Sequence, residues 1–212
     1  MPKVGMGPIR REQICRAAAA VISREGFARA TMRSVAEAAG VSTGMLNHYF
    51  ANRMEMLEET LIFVSMRQQE REAASIEGLE PGERRLRALI RSVLPTDQDT
   101  MEAWRVWIAA HGSAVRLPAL RRVMASRNEL WFEILERGLE GIPTRSPNAR
   151  LPYAWQLDAM MNGLVIQAIT TEAEIALDDI EDAVVAAALE HSRATASGNG
   201  SGRRRAARTA RA

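Results

Sequence analysis

The sequence contains little of several residue types, and each shortage excludes a class of protein. Its 212 residues include one cysteine, Cys15, so no disulfide can form within the chain, which suits a reducing cytoplasm. No apolar run approaches the roughly 18 residues that cross a membrane. Aromatic residues are only 5% of the chain and alternating β-branched runs are few, whereas Ala, Leu, Met, Glu and Arg dominate. These proportions favour an all-α cytoplasmic protein without a membrane partner.

Residue patterns typical of enzymes are missing as well. The three histidines, His48, His111 and His191, have no metal-ligand spacing to one another or to Cys15. No glycine-rich phosphate loop follows a strand, and no serine elbow occurs. The sequence therefore predicts a protein that is not an enzyme and that needs no metal or other cofactor.

Charge is distributed unevenly, although the net charge is only +2. Residues 1–53 hold eight basic and three acidic residues, whereas residues 54–193 hold fifteen basic and twenty-three acidic residues. The basic N-terminal segment suits attraction to nucleic-acid phosphates. Residues 194–212 contain five arginines, no acidic residue and little apolar bulk. We expect them to form a disordered basic tail, which either adds non-specific attraction to phosphate or is simply a solvated segment.

Residues 31–53 have the pattern of a helix-turn-helix. Thr31 and Ser42 are suitable N-caps for two short helices. Between those helices Gly40 supplies a turn residue that tolerates a positive φ. The apolar residues spaced to bury one side of both helices are Val35, Val41 and Leu46. The second helix of such a motif enters the major groove of double-stranded DNA.

Apolar periodicity, punctuated by Gly and Pro, predicts helices along most of the chain. The predicted helices are 9–25, 32–39, 43–50, 53–75, 83–94, 98–113, 117–140, 151–172 and 178–193. We assign residues 1–53 to a three-helix DNA-binding domain and residues 54–193 to a helical ligand-binding and dimerisation domain. Helix 53–75 connects the two.

Polar residues around the second helix of the motif form the candidate DNA-contact set. Asn47 can make two hydrogen bonds to adenine, while Thr43 and Gly44 let the helix lie close to the bases. Phosphate contacts are expected at the ends of the motif and at the start of the next helix. The full set is Thr31, Arg33, Ser42, Thr43, Gly44, Asn47, His48, Tyr49 and Arg53. Lys3, Arg10 and Arg11 are expected at the flanking backbone or minor groove.

The motif GVSTGMLNHYFANRMEML, residues 40–57, resembles the DNA-binding domain of the TetR family of bacterial repressors. Arg53 stands where that family usually has Lys. The resemblance covers residues 9–64. MPKVGMGPIRREQ at the start and MEAWRVWIAA at 101–110 are similar to the choline-responsive members of the family.

The resemblance implies a homodimer that binds a DNA operator and releases it when a small-molecule inducer binds the second domain. Such a regulator associates with the bacterial nucleoid when it is on DNA. Dimerisation would use the last two long helices. The first of these, 151–172, is apolar on more than one face, which indicates either a partner helix or an interior position.

All four tryptophans lie between residues 104 and 155, in the predicted second domain. Aromatic side chains with a few polar groups suit a small-molecule pocket and can hold a quaternary ammonium by cation–π contact. The candidate ligand residues are Trp104, Trp107, His111, Asn128, Trp131, Met160 and Gln167. Acidic residues such as Glu102, Glu129 and Asp158 would favour a cation. The alternative is plain packing of the tryptophans in the core.

Choline is one inducer among several that the sequence leaves open. The choline-responsive pattern usually has an acid before Gly163 and a Trp after Leu164, where this chain has Asn162 and Val165. Polyamines, cationic drugs and fatty acyl compounds stay open as well. The alternative function is a non-specific or architectural DNA-binding protein, which the acidic second domain argues against.

Overall fold

Helices make up the regular structure of the chain in this computed structural model. It describes residues 6–143, 150–171 and 174–190, of which 6–9 and 150–152 are described for the backbone alone. The helices are α1 Met6–Glu25, α2 Met32–Ala38, α3 Thr43–Tyr49, α4 Arg53–Ile76, α5 Glu83–Val93, α6 Gln98–Ala114, α7 Pro118–Gly138, α8 Arg150–Thr170 and α9 177–190. The described ranges contain no strand, and the predicted all-α class is confirmed. Among these helices none has both the length and the hydropathy of a membrane span.

The observed helix ends lie within three residues of the predicted ones over the described part of the chain. The largest shift at a start is in α1, which begins at Met6 instead of residue 9 and includes Pro8. Proline is tolerated there because the first turn of a helix has no internal partner for its N–H. Helix α3 ends one residue early because Phe50 has an extended backbone, with φ −132° and ψ 122°.

The first of two compact units comprises Met1–Arg71 and Pro95–Leu130. Its buried core joins the three N-terminal helices to α4, to α6 and to the start of α7. The members include Ile14, Ala18, Val21, Ile22, Val35, Leu46, Phe50, Leu57, Leu61, Val106, Ala110 and Leu120. Because Val106 and Ala110 of α6 belong to this core, the helix-turn-helix is supported by helices far along the chain.

Cys15 is part of the same core. It is 3% exposed, and burial raises the pKa of its thiol to about 12. The thiol therefore stays protonated and serves as a small apolar packing group, as the sequence predicts.

The second compact unit comprises Glu72–Leu94 and Trp131–Ala212. Within it, arginines of α5 bind acidic residues at the start of α9. Arg87 lies 2.6 Å from Asp182, and Arg91 lies 2.7 Å from Asp178. Both arginines also contact the largely buried Glu181, at 3.3 and 3.0 Å. A network of this kind holds α5 and α9 in register, although exposed pairs contribute little individually.

The functional division at residues 53 and 54 stays a prediction, as does the assignment of residues 54–193 to ligand binding and dimerisation. The predicted basic tail, residues 194–212, lies outside the described residues.

Candidate DNA interface and ligand site

Two side-chain caps begin the helices of the helix-turn-helix. The Thr31 Oγ1 accepts a hydrogen bond from the Ser34 amide at 3.1 Å, and the Ser34 Oγ accepts one from the Thr31 amide at 2.9 Å. This reciprocal pair is a capping box. The Ser42 Oγ accepts from the Met45 amide at 3.1 Å at the start of α3. Both predicted N-caps are confirmed.

The turn between α2 and α3 depends on one glycine. Gly40 has a φ of +65°, in the left-handed region that glycine adopts without strain. Just after it, the Val41 amide donates to the Ala36 carbonyl at 2.9 Å, which closes the end of α2. Val35 and Leu46 are both fully buried on either side of the turn. The inner face of the motif is thus packed as the spacing predicts.

The outer face of α3 is polar and open. Thr43, Gly44, Asn47 and His48 are all exposed, whereas Leu46, which lies among them in the sequence, is fully buried. A Cβ added at Gly44 would meet only the Ser42 Oγ, at 3.9 Å, so the fold itself does not demand glycine there. An absent side chain on an exposed helix face lets another surface come close to the backbone. The helix therefore offers hydrogen-bonding side chains around a bare patch of main chain.

Tyr49 and Arg33 occupy different environments at the edges of this face. Tyr49 is half-buried and packs against the core, and its ring meets the ring of His48 edge-to-face at 5.4 Å. Arg33 is exposed in the first turn of α2. An exposed guanidinium near the motif is suited to a phosphate, whereas Tyr49 has a clear packing role beside any contact to DNA.

Arg53 is turned toward the protein backbone. Its Nε donates to the Ala30 carbonyl at 2.8 Å, and its NH2 group donates to the Phe27 carbonyl. These bonds attach the start of α4 to the loop that precedes α2. The structure gives Arg53 an internal role that no local pattern indicated, and the phosphate contact that the sequence predicts for it stays a prediction.

The first turn of α4 is capped by side chains that the sequence analysis did not single out. The Glu55 amide donates to the Asn52 Oδ1 at 3.0 Å, and the Glu55 carboxylate accepts from the Ala51 amide at 2.7 Å. The signal was present, since Asn followed three residues later by Glu is a capping pattern. Two amides at this helix start are therefore satisfied within the chain.

Arg11, which the sequence predicts beside flanking DNA, also makes hydrogen bonds within the protein. Its NH1 group donates to Glu59 at 3.1 Å, and its NH2 group donates to the Tyr49 carbonyl. Arg10 is exposed and its guanidinium contacts the side chain of Gln13 at 3.3 Å. Its contact with flanking DNA stays a prediction. The side chain of Lys3 lies outside the described residues.

Four of the predicted ligand residues lie in the first unit. Trp104 is 7% exposed, and Trp107 is half-buried with its Nε1 donating to the Gln68 Oε1 at 2.5 Å. His111 and Asn128 are exposed. Burial of Trp104 and hydrogen bonding of Trp107 across to α4 are features that ordinary core packing also explains.

A cleft lies between α4 and α6 in this unit, with a volume of about 60 Å³. That is room for a few water molecules only. Arg67 bonds Asp99 at 2.9 Å beside it, and Arg71 bonds Asp97 at 2.6 Å. These pairs link α4 to the start of α6. Glu102, which also lines the cleft, belongs to neither pair.

The other predicted ligand residues lie in the second unit, where one of them meets an acid. The Trp131 Nε1 donates to the Asp158 Oδ1 at 2.7 Å, and the Asn162 Nδ2 donates to the Asp158 Oδ2 at 2.9 Å. Trp131 is 6% exposed and Asp158 is half-buried. Met160 is half-buried and Gln167 is exposed on the same helix, α8. A carboxylate held between an indole and an amide is a suitable partner for an organic cation.

Two protein-family models match separate parts of the chain. Residues 14–60 match the N-terminal model of the bacterial TetR regulatory proteins, and residues 82–194 match the C-terminal model of BetI-type transcriptional repressors. The BetI 2 regulator of Chromohalobacter salexigens is 32% identical over 173 residues, which cover 81% of this chain and 83% of that protein. The chain belongs to the TetR family.

Two solved structures have the same fold. One is a TetR-family regulator from a Rhodococcus species, with a TM-score of 0.76 and 24% identity over 86% of this chain and 98% of that one. The other is a transcriptional regulator from Saccharomonospora viridis in complex with choline, with a TM-score of 0.73 and 21% identity over 82% and 92%. At these identities the likeness establishes the fold.

As a TetR-family protein of BetI type, the chain is a ligand-responsive, DNA-binding transcriptional regulator and not an enzyme. The family's regulators bind DNA operators as dimers and respond to small molecules. A non-specific or architectural DNA-binding protein is the disfavoured alternative.

Proposed function

We propose that two copies of this chain place their α3 helices in successive major grooves of one operator and leave it when a small organic cation binds the second unit. The observation that carries the DNA part is the exposed polar face of α3 above the fully buried Leu46. In this arrangement Asn47 contacts a base edge, and Thr43 and Gly44 allow close approach. The two grooves lie about 34 Å apart.

Phosphate contacts flank this base contact. Thr31, Arg33, Ser42 and His48 are exposed around the two helices, and each has a donor suited to a phosphate oxygen. Arg53 and Tyr49 act mainly by fixing the position of the motif, in keeping with the internal bonds of Arg53 and the packing of Tyr49. On DNA the protein is associated with the nucleoid in the cytoplasm.

Dimerisation through α8 and α9 is supported by the outer surface of α8. Trp155 is 53% exposed and Ile166 is 39% exposed. Eleven residues apart, they lie on one face of the helix, three turns from each other. Large apolar side chains exposed along one helix face are typical of a surface that a partner covers.

The inducer is proposed to be a cation that Asp158 attracts. The carboxylate of Asp158 is oriented by the hydrogen bonds that it accepts from Trp131 and Asn162. Choline is the first candidate, since the regulator from Saccharomonospora viridis was solved with choline bound. Polyamines and cationic drugs share the positive charge and are the next candidates, whereas fatty acyl compounds are not expected to use Asp158.

Fluorescence anisotropy tests both halves of the proposal. The purified protein is titrated into labelled DNA from upstream of its own gene and into a scrambled duplex, at one salt concentration, with and without choline. Selective binding that choline reverses is the expected result. Selective binding that choline leaves unchanged keeps the DNA assignment and transfers the inducer search to polyamines. Equal affinity for both duplexes would mean that no operator lies directly upstream of this gene. Selection of bound duplexes from a random-sequence pool would then test whether the protein recognises any specific operator.

A further inference from the structure

Arg11 of α1 lies at a junction of three helices. Its guanidinium donates to the carbonyl of Tyr49, in the last turn of α3. It also donates to Glu59 at 3.1 Å and lies 3.7 Å from Glu55, both on α4. Its central carbon lies over the ring of Phe50, 5.0 Å from the ring centroid. One side chain therefore contacts the end of the DNA-facing helix and the beginning of the helix that follows it.

Two physical effects arise from these contacts. A carbonyl in the last turn of a helix has no partner within the helix and carries partial negative charge, so a guanidinium there stabilises the helix end. The same cation neutralises part of the charge of Glu55 and Glu59. Those carboxylates are 37% and 36% exposed in the first two turns of α4, next to the DNA-facing motif. Unscreened negative charge at that place would repel DNA phosphates.

We propose that Arg11 is a positioning residue for DNA binding, which fixes the C-terminal end of α3 and screens Glu55 and Glu59 from the phosphate backbone. It acts through these groups and does not contact DNA itself. The inference rests on the proposed placement of DNA against α3. Because Arg11 joins α4 to the end of α3, it also links a shift of α4 to the orientation of the helix that contacts bases.

The test is a double-mutant cycle of Arg11→Met and Glu59→Gln. Methionine keeps the length and helix propensity of the side chain and removes its charge. The control is Arg16→Met on the same helix, because Arg16 pairs with Glu12 at 2.9 Å and lies over Phe63 instead of contacting α3. The probe is a duplex that the wild-type protein enriches from a random-sequence pool, so the assay does not depend on knowing the operator.

Arg11→Met is expected to lower the affinity for that duplex about tenfold and to leave the protein's preference for it over scrambled DNA unchanged. Arg16→Met is expected to change the affinity less than about twofold. Adding Glu59→Gln to Arg11→Met is expected to raise the DNA affinity again at least about threefold, because one unscreened negative charge is removed. A merely structural role would not predict that recovery. Equal affinities for the Arg11 and Arg16 variants would overturn the inference, as would a loss that Glu59→Gln does not reduce.

Amide hydrogen exchange tests the positioning step without DNA. In Arg11→Met the amides of residues 46–50 are expected to exchange faster than in the wild type, while α6 is unchanged. Unchanged exchange together with weaker DNA binding would instead indicate direct contact between Arg11 and DNA, and would overturn the inference. If the wild-type protein enriches no duplex, operator binding fails, whereas the exchange result still decides whether Arg11 positions α3.

Discussion

The indole of Trp131 donates a hydrogen bond to the carboxylate of Asp158 at 2.7 Å, across 27 residues of sequence. The other carboxylate oxygen accepts from Asn162, one turn further along α8. Asp158 is therefore held in one orientation. A charged group held in advance loses little freedom when a ligand binds, which favours affinity for a cation.

Replacing Asp158 by Asn tests this charge. Asparagine retains an oxygen for the Trp131 bond but has no negative charge. We expect the concentration of choline, or of the polyamine identified in its place, that releases half of the DNA to rise at least about tenfold, with DNA affinity unchanged when no cation is present. Asp179→Asn is the control, because Asp179 is an exposed acid of the same unit. An unchanged half-release concentration would exclude Asp158 as the charge partner.

Replacing Asn47 by Ala tests the base contact. Asn47 is exposed on α3, and its side chain is the one best suited to adenine. Binding of Asn47→Ala to a set of duplexes with single base changes should lose discrimination at one position in each half-site, by about 1–3 kcal/mol. Tyr49→Phe should weaken binding to all duplexes about equally. If Asn47→Ala instead lowers the affinity for every duplex equally, Asn47 contacts a phosphate and not a base.

Arg53→Ala should destabilise the first unit as well as weaken DNA binding. It removes the donors to the Phe27 and Ala30 carbonyls, and hydrogen bonds to a charged group contribute about 1.5–3 kcal/mol each. A drop of several degrees in the melting temperature is expected, together with weaker binding to every duplex. Arg53→Lys retains the charge but not the forked geometry, so it should recover part of the DNA affinity and little of the stability. An unchanged melting temperature for Arg53→Ala would refute the internal role.

Two glycines of the second unit form a matched pair for stability. Gly141 and Gly78 both have positive φ, +79° and +69°. A Cβ at Gly78 would meet nothing within 4 Å, whereas one at Gly141 would lie 2.9 Å from the backbone carbon of Pro81. Gly78→Ala should therefore lower the free energy of unfolding only by the backbone strain of a positive φ, about 1 kcal/mol. Gly141→Ala should lower it by at least about 1 kcal/mol more. Urea unfolding of both variants measures the difference, and equal losses would mean that the Pro81 loop moves aside without cost.

Asp97, the N-cap of α6, gives the fold a dependence on acid pH. The Thr100 backbone amide and the Arg71 guanidinium hold the pKa of its carboxyl at about 2, below the usual 3.8. Because the pKa is lower in the folded state, the ionised carboxylate stabilises the fold above about pH 4, and this stabilisation is lost as the pH falls toward 2. Asp97→Ala should cost about 1 kcal/mol at neutral pH.

The pH dependence of that cost checks its electrostatic origin. Chemical unfolding of the wild type and of Asp97→Ala should show a difference in unfolding free energy that shrinks between about pH 4 and pH 2. Asp97→Asn keeps a capping oxygen without the charge, so its difference from the wild type should be smaller at neutral pH and should also shrink with acid. If the difference in unfolding free energy does not change with pH, Asp97 stabilises the fold by capping α6 and not through its charge.

Much of the fold was predictable from residues close together in the sequence. Thr31, Gly40 and Ser42 each act on atoms within five residues, and their roles as caps and turn are those that the pattern indicates. Helix ends follow the same local rules. The sequence also identified the motif of residues 40–57, from which the family resemblance arises.

Side-chain orientation between helices was not predictable in the same way. Arg53 was expected at a phosphate and Arg11 at the flanking DNA backbone or minor groove. Nothing local distinguishes an arginine that faces DNA from one that faces a carbonyl. Their partners are 48 and 38 residues away for Arg11, and 23 and 26 residues away for Arg53. Such contacts depend on how the helices pack.

The sequence by itself determined the helices, the caps, the turn of the helix-turn-helix and the family, because these depend on backbone hydrogen bonds and periodicity over a few residues. Only the tertiary structure decided which charges face inward, that α6 completes the core beneath α1, and that Trp131 and Asn162 hold Asp158. The reason is physical: a buried or paired charge is stable only where groups from distant segments supply its partners, and those groups come together only when the helices pack.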